Sequence, residues 1–122
     1  MTEPIDIVRR CYQAYIDHDR AAIEALFTAD FTFTSPLDNC IDRATYFERC
    51  WPNHERITGF DFARLINQAE NVVVTYEGHG EGGRGFRNTE IFTLRDEKII
   101  AVEVYFGWPL PHKAEPGGFV EV

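Results

Sequence analysis

The chain has 122 residues, with 12 Lys and Arg against 20 Asp and Glu, for a formal net charge of −8. That length allows one domain, and its 44% hydrophobic and 14% aromatic content supplies a packed core and excludes a disordered chain. So acidic a surface is a poor match for nucleic-acid backbones or anionic membranes, and no stretch approaches the roughly 20 apolar residues of a membrane helix.

The opening Met1-Thr2-Glu3-Pro4 has neither the basic nor the apolar run of an export signal. Cys11, Cys40 and Cys50 cannot all pair within one chain. Together these point to reduced thiols and a cytoplasmic protein. Cys11 and Cys50, at helical positions, read as ordinary buried thiols.

Thr2-Glu3-Pro4 opens the first helix, because proline is tolerated in a first turn. Val8, Cys11, Tyr12 and Tyr15 follow at i, i+3, i+4 and i+7, which is one helical stripe. That helix is expected to end near Asp17-His18-Asp19. Asp19 then caps a second helix whose stripe is Ile23, Leu26 and Phe27. Residues 31–34 alternate with period two and read as a short strand with Phe31 and Phe33 buried. Ser35-Pro36-Leu37-Asp38-Asn39 is turn chemistry. Asp42 caps a third helix that gathers Tyr46, Phe47, Cys50 and Trp51 on one side, and Pro52 stops it.

From there the period is two. Residues 57–67, 71–79, 86–95 and 98–106 are strand candidates, joined by short connections, so neighbours are antiparallel. The glycine-rich run 78–85 lies between two of them, with no following helix to hold a phosphate, and reads as a hairpin tip. The tail, from Trp108 onward, reads as a loose surface strap. Helices first and strands later give an α+β domain, one curved antiparallel sheet with helices on one face. A bent sheet cannot fill its own concavity from one layer, so a cone-shaped apolar pocket is expected.

The order of elements and several blocks of residues resemble the SnoaL-like, nuclear-transport-factor-2-like superfamily, which includes ketosteroid isomerases and polyketide cyclases. The carriers are Ile7-Val8 to Tyr15, Asp19 with Ile23 and Leu26-Phe27, Asp30 to Phe33, Phe92-Thr93-Leu94 and Lys98 to Val102. The resemblance covers about residues 5–108, within a single domain 1–122 whose strap is 109–122. Residues 33–38, Asp42-Arg43 and 46–52 look like an uncharacterised subgroup. The implied fold is a cystatin-like α+β barrel, with three helices in the N-terminal half enclosing a pocket. The isomerases of that superfamily carry a general-base carboxylate just before a proline; Ser35 looks to hold that place here, and Asp38 follows three residues on. Their helix-borne tyrosine finds its nearest match by spacing in Cys11, beside Tyr12 and Tyr15. Their strand-borne acid looks to match Glu90.

Glu90 is the most informative residue. It shares a strand face with Phe86, Phe92 and Leu94, while Thr89 and Ile91 face the other way. A carboxylate on an apolar face has its pKa raised by desolvation unless a cation compensates, and Arg64 is the candidate cation. Asp38 reads either as a base at the pocket mouth or as a turn residue. Tyr15, Ser35, Trp51, Tyr76, Phe92, Val104 and Trp108 are the candidate ligand-contacting residues. Cys50 and His54 share an i, i+4 spacing, but two ligands do not make a metal site, so no metal and no cofactor are expected. His18 and His112 read as solvated.

Two functions fit. One is a non-catalytic pocket for a small hydrophobic molecule. The other is a cofactor-independent acid–base enzyme, an isomerase, cyclase or lyase acting on a small carbonyl compound through Glu90, with Asp38 as partner. The outer sheet face, with Ile91, Thr93, Ala101 and Tyr105, is expected to form a homodimer.

Overall fold

The computed structural model of the protein describes residues 2–122. The elements are helices α1 (Pro4–Asp17) and α2 (Arg20–Leu26), strands β1 (Phe27–Ser35) and β2 (Asp38–Asp42), helix α3 (Arg43–Arg49), and strands β3 (Gly59–Gln68), β4 (Asn71–His79), β5 (Gly85–Arg95) and β6 (Lys98–Leu110). A 3₁₀ turn at Trp51–Arg56 links α3 to β3.

Local chemistry sets the helix ends. Pro4 sits in the first turn of α1, where its missing N–H costs nothing, and His18 closes the helix in the left-handed conformation at φ 55°. The Asp19 carboxylate accepts from Ala22 N at the start of α2, and Asp42 accepts from Thr45 N at 2.9 Å at the start of α3. Both caps are where the sequence places them.

The six strands form one sheet in the order β2-β1-β6-β5-β4-β3. Its neighbours are antiparallel except β1 and β6, which run parallel. Irregularities at Phe62/Arg64, Arg87/Asn88 and Thr93/Leu94 bend the sheet around the helices. Near the second of these, a Cβ on Gly107 would lie 2.1 Å from the Arg87 carbonyl oxygen, so only glycine admits so close an approach. The core lies between α1, α2 and the concave face. Ile7, Val8, Ile23, Phe31, Val72, Val74, Phe92 and Ile99 are fully buried there, and the Phe27 and Phe31 rings stack at 4.0 Å.

Four expectations need correction. β1 is longer than residues 31–34; Phe27 begins this strand rather than ending a helical stripe. The supposed turn residues Asp38 and Asn39 open a short edge strand, β2, because β1 offers free backbone groups that register Thr32 against Asp42 and Phe33 against Ile41. Trp51 falls on the 3₁₀ turn rather than on α3, and Pro52 lies inside that turn's beginning. β6 continues through Trp108 to Leu110, since Arg87 and Phe86 of β5 still face Trp108 and Pro109, so the strap begins only after Leu110. Among the described residues no helix is long and apolar enough to cross a membrane.

Candidate functional site

Period two along β5 puts Phe86, Asn88, Glu90 and Phe92 on the concave face, and the register sets Glu90 between Val74 of β4 and Val104 of β6. Side chains of α1 and α3 face this end without filling it. A cavity of about 660 Å³ opens there, with Tyr12, Tyr76, Glu90, Phe92 and Val104 among its lining residues. The β1–β2 turn, the Trp51–Arg56 turn and the β4–β5 tip surround its mouth, through Leu37, Arg56 and Arg84.

Glu90 is half-buried and lines this cavity. The Tyr12 hydroxyl donates to Glu90 Oε1 at 3.1 Å, and the Tyr76 hydroxyl donates to Oε2 at 2.5 Å. Burial pushes the Glu90 carboxyl up to about 7, although the Tyr76 and Tyr12 bonds pull against it. Among the described residues no Lys, Arg or His forms an ion pair with Glu90. Arg64, the candidate partner, stands opposite Thr75 on the convex side of the sheet and is exposed. Burial, and then the nearby Glu90 charge, push the Tyr12 and Tyr76 hydroxyls up, so both stay protonated as donors.

A second polar pair faces the same cavity. Tyr15 of α1 and Tyr46 of α3 bring their hydroxyl oxygens to 2.5 Å, and either can donate. That bond uses one of two O–H groups. The other has no further partner among the described residues, and burial raises both phenols.

At the mouth, Ser35 Oγ donates to Asp38 Oδ2 at 2.9 Å and accepts from Leu37 N at 3.0 Å. Arg49 Nε donates to Asp38 Oδ1 at 3.0 Å. Both Asp38 oxygens are thus engaged, and Ser35 behaves as a turn residue with no histidine in its hydrogen bonds. Trp51 and Trp108 do not line the cavity. Trp51 is buried behind Tyr15, ring centroids 4.9 Å apart, and stacks on His54 at 4.3 Å. Trp108 is 47% exposed and lies under the Arg87 guanidinium. His18 is not simply solvated, because its Nδ1 meets His54 Nδ1 at 2.6 Å. Cys11 is buried and Cys50 half-buried, both bordering the cavity, while Cys40 is exposed. Among the described residues no three His, Cys, Asp or Glu side chains converge to hold a metal.

Of the candidate residues, Glu90, Tyr15, Tyr76, Phe92, Val104, Ser35 and Asp38 all border the one cavity. Sequence reasoning missed Tyr46 and Asn88 and gave Tyr12 only a passing place. Asn88 carried a usable signal, since it lies two residues from Glu90 on the same strand face. Tyr46 carried none beyond its helical stripe.

A family model described as the SnoaL-like domain matches residues 8–102. None of the curated proteins matches this sequence. Among solved structures, an NTF2-like protein of unknown function from Cytophaga hutchinsonii superposes with a TM-score of 0.69 at 17% identity, covering 88% of this chain and 92% of its own. A protein of ketosteroid-isomerase-like fold from Catenulispora acidiphila, solved in complex with trimethylamine, gives 0.66 at 17% identity, covering 84% and 85%. An LEH-like epoxide hydrolase from M. tuberculosis gives 0.68 at 16% identity, covering 85% and 82%. These likenesses establish the α+β, NTF2-like fold.

Proposed function

We propose that this chain, which belongs to the SnoaL-like domain family, binds a small, mostly apolar molecule in the cavity and orients it by a polar group set against Glu90. The observation that carries this reading is the Glu90 carboxylate, held by Tyr12 and Tyr76 inside a mainly apolar chamber of about 660 Å³. A chamber of that size suits a drug-sized ligand, and a few fixed polar groups on apolar walls are what give such sites their orientation. Native mass spectrometry of the freshly purified protein tests it. A retained small molecule lost after Glu90→Arg, which drives a long cation into the chamber, is the expected result. An empty protein that also takes up no neutral apolar dye defeats it.

A second reading, acid–base catalysis, is favoured by one specific observation: a carboxyl pushed up to about 7 is half ionised near neutrality. In that reading Glu90 takes a proton from the carbon beside a ligand carbonyl. The C–H pair moves into the new C–C double bond, the carbonyl pair moves onto oxygen, and the free O–H of the Tyr15–Tyr46 pair meets the resulting oxyanion. Returning the proton to another carbon completes an isomerisation. Asp38, unlike Glu90, is ion-paired, with the Arg49 guanidinium on one oxygen and Ser35 on the other. Deuterium exchange into a bound carbonyl compound, abolished by Glu90→Gln with binding kept, is the result that selects this reading over plain binding.

We also propose that the protein works in the cytoplasm as a homodimer through the convex sheet face. The half-buried Ile91, Thr93 and Ala101 and the 53% exposed Tyr105 support that face, on which the exposed Glu103 stands opposite Ile91.

A further inference from the structure

We infer that the natural ligand of the cavity is a small organic cation, a protonated or quaternary amine on an apolar body, with its positive centre beside Glu90 and its body along the aromatic walls. This rests on the binding reading above and names its ligand class.

The geometry around Glu90 is that of an ionised acceptor. Two hydroxyls donate, one to each carboxylate oxygen. A carboxylate offers about four acceptor positions, so about two remain for a ligand. A negative charge in a water-poor site is costly unless a positive charge faces it. The groups facing Glu90 are Cys11, Tyr12 and Tyr15 of α1, Tyr46 of α3, Tyr76 of β4 and, beyond α3, Cys50. None of them is a cation. At the rim, His79 is paired with Asp61 and Asp38 with Arg49, while Arg56 and Arg84 border the mouth together with Glu55 and Glu81. The chamber therefore lacks one thing electrically, a positive charge at its inner end.

The walls supply the rest of a cation site. Tyr12, Tyr76, Phe60, Phe86 and Phe92 all line the chamber around Glu90, and their rings sit in edge-to-face contacts with centroids 4.9 to 5.9 Å apart. Aromatic faces attract an ammonium through the ring quadrupole, most strongly where water is excluded. The chain's net charge of −8 draws cations toward the protein and repels anionic competitors.

The test compares choline with 3,3-dimethylbutan-1-ol, a neutral molecule of nearly the same shape, by NMR titration of the intact protein. At pH 8 choline is expected to bind at least about tenfold more tightly. Glu90→Gln should erase that preference while keeping the weak binding of the alcohol. Because Glu90 ionises near 7, choline affinity should rise with pH between 6 and 8, while that of the alcohol stays level. Equal or tighter binding of the alcohol, or a choline preference that survives Glu90→Gln, overturns the cation assignment and leaves the pocket reading standing. Failure of choline, the alcohol and the neutral dye Nile red alike overturns both. Should Glu90→Gln misfold, the parent protein decides: a choline preference over the alcohol that is the same at pH 6 and pH 8 overturns the cation assignment.

Discussion

The concave face of the sheet has two ends built from the same strands and the same alternation, yet they differ. At one end Phe92, Leu94, Val72 and Ile99 are buried against α1, α2 and the stacked Phe27 and Phe31. At the other, Phe86, Asn88 and Glu90 of the same β5 strand are only half-buried, and Phe106 of β6 is 53% exposed. Nothing in the strands separates the two ends. The difference lies in what covers them. Helices α1 and α2 fill the first end with side chains, whereas at the second α1 presents Cys11, Tyr12 and Tyr15 to an open space framed by α3, the 3₁₀ turn and a glycine-rich tip. The cavity is thus the part of the concave face that the helices line without filling.

The comparison can be broken most directly by truncating one aromatic at each end. Phe31→Ala removes a fully buried ring and should cost about 3–5 kcal/mol in urea unfolding, while Phe106→Ala at the mouth should cost no more than about 0.5 kcal/mol. Equal losses would mean that both ends are core. A somewhat smaller effect concerns Glu90. Its folded-state pKa is raised from 4.5 to about 7, so the folded protein binds the extra proton between those values. The associated stability is fully present below about pH 4.5 and is lost as pH rises through 7, an amount of about 3 kcal/mol at most. Glu90→Gln should therefore gain stability relative to the parent at pH 8 and show no such gain at pH 4.5. A pH-independent difference between the two proteins would put Glu90 in bulk water and remove the contrast between the ends. The smallest expected effect on folding is at the convex face. Tyr105→Glu should leave stability nearly unchanged while shifting the sedimenting species from twice 14.1 kDa toward 14.1 kDa; a parent already monomeric at micromolar concentration removes the dimer.

Much of this was legible in the residues. The stripe Val8, Cys11, Tyr12 put α1 against the sheet, Asp19 and Asp42 marked two helix starts, and alternation along β4 and β5 gave the buried face. The edge strand β2 was not, because five residues of turn-like composition become a strand only when β1 is there to pair with. Trp51 and Trp108 looked like ligand contacts because aromatic residues carry no label for cavity, core or surface; one turned out to be packed behind Tyr15 and the other to lie exposed on β6.

Periodicity and capping act within a few residues, so the sequence by itself determined which side chains share a face and that Glu90 points toward the apolar one. Whether that carboxylate would meet a cation, water or hydroxyls depended on contacts such as Tyr12 to Glu90, 78 positions apart in the chain. Only the tertiary structure could decide that, because it alone sets how the helices lie across the sheet and which donors are brought to Glu90.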